Sequence, residues 1–183
     1  MKKNFVAMIV TAALACAAGS AMAATQDTIV DGGTIYFKGQ VVDAACAVVV
    51  GNDGDGQTVT LDQVRAANLT DAGEYANQKQ DFHIDLKDCD PTISQNAAVI
   101  FNAQEEPLIA GTMANTAGAG AAGFVALQLF GPDGKELKIG AESSPVVIDT
   151  ATVRIPLSVD YVATGKATPG GVEASATFKI HYS

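Results

Sequence analysis

The sequence predicts an all-β protein, an antiparallel β-sandwich. Three features carry that reading. Apolar and polar residues alternate with a period of two along most of the chain. Gly, Pro, Asn and Asp interrupt the alternation, as turns between short strands require. Two cysteines, Cys46 and Cys89, remain after an amino-terminal export signal, enough for one bridge in an oxidising compartment. A closed barrel is the alternative with the same periodicity.

Residues 1–23 stand apart from the fold. Lys2 and Lys3 form a positive start, residues 5–18 an apolar run too short for a bilayer, and Ala21-Met22-Ala23 a small-residue cleavage site. Those are the parts of a secretory signal peptide. A retained anchor helix is the alternative, but nothing lengthens the apolar run. Residues 24–183 then suit one domain with a proper core. Without Lys2 and Lys3, nine basic residues face 20 acidic ones, a net charge near −11. No basic patch offers a footprint for nucleic acid, and spread acidity keeps a protein soluble. A Cys46–Cys89 bridge closes a loop of roughly 44 residues and stabilises by about 4 kcal/mol in the loop-entropy picture.

The first alternation lies just after the signal. Ile35 and Phe37 share one parity and Thr34 and Lys38 the other, behind Asp31-Gly32-Gly33. Residues 61–67 are a short helix-like stretch, and 105–109 a second. Phe82, Ile84 and Leu86 alternate with His83, Asp85 and Lys87. Residues 97–103 form a short apolar run, and 114–123 a low-complexity stretch expected as a mobile surface loop. Val125, Leu127 and Leu129 precede the turn Gly131-Pro132-Asp133-Gly134, which leads into Leu137 and Ile139. Val153, Ile155, Leu157, Val159 and Tyr161 share a parity against Arg154, Pro156, Ser158 and Asp160. The last alternation sets Val172, Ala174, Ala176, Phe178, Ile180 and Tyr182 against Glu173, Ser175, Thr177, Lys179 and His181.

No catalytic constellation emerges. His83 and His181 fall on polar parities and are expected to face solvent, which leaves a metal site without inward ligands. The run GNDGDGQT from Gly51 lacks the order of a calcium loop and reads as a polar turn. With both thiols bridged, no nucleophilic cysteine remains. Asn68-Leu69-Thr70 matches a glycosylation sequon, a triplet common by chance. The absence of tryptophan disfavours a lectin. The last strand says more. It is apolar on one parity almost to the terminus, so it needs a neighbour on each side or leaves a sticky edge. Either the chain's own residues 28–39 fill that edge, or a partner does by strand addition.

The blocks GGTIYFKGQVVDAACAV, LDQVRAANL with FHIDLKDCDP, and IPLSVDYVATGKATPGGVEASATFKIHYS occur in an order that resembles the major subunits of chaperone–usher fimbriae, the type 1 fimbrial major pilin family. The resemblance covers the whole chain. It implies an incomplete immunoglobulin-like sandwich of six own strands, completed by a donated strand, with Cys46 and Cys89 as its disulfide. It divides the chain into a signal peptide (1–23), a donor-strand extension (24–39) and a pilin domain (40–183). The donor's inward residues are then Ile29, Asp31, Gly33, Ile35, Phe37 and Gly39, the small ones suiting a shallow pocket. Gly170, Val172, Ala174, Ala176, Phe178, Ile180 and Tyr182 form one wall of the acceptor groove and the segment a chaperone recognises, and the strand opening near Val41 and Val42 forms the other. The implied partners are like subunits, a periplasmic chaperone and an outer-membrane usher, with export through the periplasm to an extracellular fimbria supporting adhesion. No enzyme activity, cofactor, metal, nucleic acid or small-molecule substrate is implied. A minor adaptor subunit and a self-complemented exported binding sandwich are the alternatives.

Overall fold

The structure is a computed structural model that describes residues 34, 36, 41, 44–50 and 56–183. The expected signal peptide and the donor positions Ile29, Asp31, Gly33, Ile35, Phe37 and Gly39 lie outside the described residues, as do residues 51–55 of the glycine-rich run.

Among the described residues nine strand segments follow in order: β1 (Ala47–Val49), β2 (Gln80–Lys87), β3 (Asn96–Ala103), β4 (Met113–Ala114), β5 (Val125–Phe130), β6 (Glu136–Leu137), β7 (Val146–Val147), β8 (Thr152–Ala163) and β9 (Ala176–Tyr182). Six are strands of three residues or more, and β4, β6 and β7 are two-residue ribbons. One sheet runs β1-β2-β8-β5-β4, with β6 beside β5, and the other runs β7-β3-β9. Every strand ladder is antiparallel.

Alternation explains why the sheets face each other. On β2 and β8, Phe82 stands opposite Leu157, Ile84 opposite Ile155 and Leu86 opposite Val153, so one face of the ladder is wholly apolar. Val99 and Phe101 of β3 supply the facing layer. Phe101 joins the sheets, with its ring 6.4 Å from Phe82 and 6.0 Å from Phe178. Pro156 sits within β8 opposite His83, on the half of the strand that β5 does not reach, so its missing N–H breaks no central ladder. The hairpin between β5 and β6 turns at Gly134, whose φ of 73° suits glycine.

Three expectations need correction. Residues 61–67 are not a helix: only a 3₁₀ turn, Ala66–Asn68, forms. Seven residues cannot offset the cost of helix nucleation, and Leu61, Val64 and the fully buried Leu69 pack on the core instead. Residues 105–109 are likewise irregular, and Glu105 makes an isolated bridge with Met113. The stretch 114–123 is pinned rather than loose. Ala114 belongs to β4, Ala122 is buried, and Asn115 makes four hydrogen bonds described below.

Cys46 and Cys89 form the disulfide. It ties the residue before β1 to the chain just after β2, and Asp90 N donates to Ala45 O alongside it at 2.8 Å.

Candidate functional site

The incomplete edge of the smaller sheet forms the site. β9 pairs with β3 along seven residues, from Ala97 opposite Tyr182 to Ala103 opposite Ala176. Among the described residues no strand pairs with the other edge of β9. The consequence is visible in burial. Phe178, Ile180 and Tyr182 share the inward parity yet are only half-buried, as are Val172 and Ala174 in the lead-in, and Ala176 is exposed. An apolar parity that stays half-exposed lacks a covering layer.

Beside this edge runs an apolar trench with two cavities. The larger, about 430 Å³, lies among Val59, Leu61, Phe82, Phe101, Leu129 and Phe178. The second, about 370 Å³, lies among Val64, Leu69, Tyr161, Ala167, Gly170 and Val172. Val172 and Ala174, two apart on one parity, border the two cavities, so they are neighbours along one groove. The facing wall differs from expectation. Val41 is fully exposed and in no strand, Val42 lies outside the described residues, and residues 56–59 and 61 line that side.

The ends of the groove are held by polar contacts to the backbone. At one end the Tyr182 hydroxyl donates to Cys46 O at 3.2 Å, which anchors the penultimate residue to the disulfide. Burial raises the Tyr182 phenol above its ordinary range, so it stays a donor. Gln95 N and Asn96 N both donate to Ser183 O, and Ser183 N donates to Asn96 O. At the other end Asn115 is a hub. Its Nδ2 donates to Ala122 O and Gly171 O at 3.0 Å each, and its Oδ1 accepts from Ala117 N at 3.1 Å and Glu173 N at 3.0 Å. Ala122 N also donates to Gly171 O at 2.8 Å. Tyr161, raised by burial and then by Asp62 and Asp160, donates to Asp62 O at 3.2 Å.

Gly170 sits where two backbones touch. A Cβ there would overlap Ala122 N and the Ala121 carbonyl, rigid main-chain atoms that cannot swing aside. Gly170→Ala is therefore expected to cost on the order of 3 kcal/mol, read as a lowered urea midpoint, because overpacking against backbone has no rotamer to relax. An unchanged midpoint would show that the contact yields.

The histidines lie outside the groove. His181 is exposed, with Nδ1 2.9 Å from Glu142 Oε1. His83 is half-exposed, 3.7 Å from Asp85, whose carboxylate holds Arg154 at 2.8 Å and is kept below its ordinary range by that guanidinium first. Among the described residues no three His, Cys, Asp or Glu side chains group to hold a metal. The groove presents a largely apolar wall beside an edge of β9 that no described strand pairs with. Alternating pockets would receive alternate side chains while the free edge of β9 supplies backbone partners.

Sequence reading identified β9 and the disulfide but passed over Asn115, hidden in an Ala- and Gly-rich stretch, and Leu69, inside the sequon. A polar amide amid small residues was the available signal for the first.

Comparison with known proteins bears on the site. The profile of the family described as "Fimbrial protein" matches residues 35–183. The chain is 41% identical over 188 residues to the type-1 fimbrial protein, A chain, of Escherichia coli, covering all of both chains. It is 41% identical over 186 residues to the fimbrial subunit type 1 of Klebsiella pneumoniae, again covering all of both. A solved chaperone–usher pilus structure superposes with a TM-score of 0.67 at 20% identity, over 86% of this chain and all of that one.

Proposed function

The chain belongs to the fimbrial protein family and is a structural subunit of a surface fimbria, and from that premise we propose that it polymerises by donor-strand exchange. Residues 24–39 of one copy enter the groove beside β9 of the next, so copies join head to tail. The observation that carries this reading is the half-buried inward parity of β9 beside its unpaired edge and the apolar trench. Ile29, Asp31, Gly33, Ile35, Phe37 and Gly39 are the donor's inward positions. A head-to-tail contact that does not close into a ring generates an open helical filament.

The open edge of β9 supports the following route. Residues 1–23 direct export and are removed. A periplasmic chaperone lends a strand to the open edge and recognises the carboxy-terminal segment through Tyr182. An outer-membrane usher exchanges that strand for the next subunit's extension, and the finished fimbria supports adhesion. The role is structural, without catalysis or cofactor.

A synthetic peptide of residues 24–39 tests the reading against a subunit lacking 24–37. Occupancy of the native groove at 1,000 times its Kd stabilises by about 4 kcal/mol, a Tm rise on the order of 10 °C for a domain of this size. A peptide with Asp at both Ile35 and Phe37 is expected to give no rise. A truncated subunit that ignores the native peptide defeats the proposal.

A further inference from the structure

The two ends of the sandwich carry different exposed apolar side chains. Phe124, just before β5, is 55% exposed although it is a large aromatic. Its φ is 60°, a left-handed conformation that a bulky side chain adopts only under constraint. It stands against Gly165, where a Cβ would come within 3.1 Å of its ring. Its carbonyl accepts from Thr164 N, and Gly123 N beside it donates to Thr168 Oγ1 at 2.9 Å. Phe124 therefore sits at the end of the sandwich where Thr168 and Gly170 rim the second cavity and Ala121 bridges Gly171.

The opposite end holds the disulfide, Ser183 and the turn 90–93, in which Asp90 Oδ1 accepts from Thr92 N at 2.9 Å and from its hydroxyl at 2.6 Å. Ile93 in that turn is 59% exposed. Asp88 and Asp90 are exposed there beside Lys87, whereas exposed Lys166 follows Gly165, the glycine that stands against the Phe124 ring.

Every strand ladder among the described residues is antiparallel. A donated strand added to β9 in the same sense has its carboxy-terminal end beside residues 171–176. The donor's own body begins immediately after residue 39, and Cys46 follows within seven residues. The donor's disulfide end must then abut the acceptor's Phe124 end. We propose that Phe124 of one copy and the Asp90–Ile93 turn of the adjacent copy form the body-to-body contact along the filament, with Lys166 facing the Asp88–Asp90 carboxylates across it. This rests on the donor-strand reading and adds a second interface to it. An exposed aromatic held in a strained conformation is explained when a neighbour covers it, and a heterologous contact needs two different complementary patches.

Filaments carrying both Phe124→Cys and Ile93→Cys, treated with a short bis-maleimide linker, test the contact. A ladder of covalent subunit multiples is expected from the double variant and none from either single variant. Absence of the ladder in double-variant filaments overturns the contact. Uptake of the residue 24–39 peptide by the truncated wild-type subunit is measured in parallel. Failure there sinks the donor-strand reading itself, whereas uptake without a ladder sinks only the end contact. Should the cysteine variants fail to assemble, Phe124→Gly replaces them, because glycine suits a φ of 60°. Its filaments are expected to dissociate several-fold faster on heating while its peptide-filled monomer keeps its Tm. Equal dissociation overturns the proposal.

Discussion

A subunit lacking residues 24–37 is expected to build no filaments at all, while still folding around a strand supplied in trans. The loss should be complete rather than graded because each link in a head-to-tail chain uses one extension, and every truncated copy withholds it. Ile29, Ile35 and Phe37 are all removed outright. Each apolar side chain contributes about 1.5–3 kcal/mol when fully buried. The backbone of the missing strand would also have satisfied the free edge of β9. The groove itself lies within Gln40–Ser183, so its walls at Phe82, Phe101 and Phe178 are untouched. In a mixture with intact chains, a truncated copy can occupy only the terminal position that donates nothing. Electron microscopy of sheared filaments and the ladder of heat-resistant multimers check this together. Filaments of normal length from the truncated chain alone would end the donor-strand account.

How much of this was legible depended on whether a residue's environment follows from its own strand. β2, β5, β8 and β9 were, because alternation reports which face of a strand is apolar, and the hairpin at Gly134 was, because its turn residues are specific. Asp160 shows the limit. It sits on the polar parity of β8 and yet is fully buried, because residues 76–79 bulge over it, with Asn77 at a φ of 56°. Its Oδ1 accepts from Tyr161 N at 2.8 Å and Gln78 N at 3.3 Å, and the burial comes from a segment some 80 residues away. The groove beside β9 was half legible for the same reason. Val172 to Tyr182 announced one wall by parity, but the other wall, around Val59 and Leu61, belongs to irregular chain whose place is set by packing rather than by any period. Asn115 escaped notice because its bonds to Gly171 and Glu173 tie it to chain more than 50 residues away, which its local turn to Ala117 does not reveal. Phe124 escaped because an exposed aromatic at the head of a strand looks like the strand's own alternation until its φ is known.

Replacing Cys46 and Cys89 together by Ser is expected to leave the subunit largely unfolded at 37 °C. The bridge spans 43 residues of sequence, and releasing that loop restores entropy to the unfolded chain worth about 4 kcal/mol. A complete domain with stability on the order of 5–15 kcal/mol could absorb such a loss. This sandwich is poorly placed to do so, since Phe178, Ile180 and Tyr182 of β9 are only half-buried and no described strand covers its outer edge. The bridge also does local work at the groove. Tyr182 donates to Cys46 O, and Asp90 N holds Ala45 O, so the end of β9 and the start of β1 are fastened through the same few atoms. Without the bridge, Tyr182 keeps its hydrogen bond only as long as an untethered segment stays in place. The measurable consequence is a fall in the urea midpoint of the double-serine subunit, partly reversed by the residue 24–39 peptide, because filling the groove adds back the missing core. An equal midpoint in the oxidised and double-serine forms would mean that the sheets alone stabilise the open sandwich. The peptide's partial rescue separates the two contributions: what it restores belongs to the absent strand, and what it leaves unrestored belongs to the bridge.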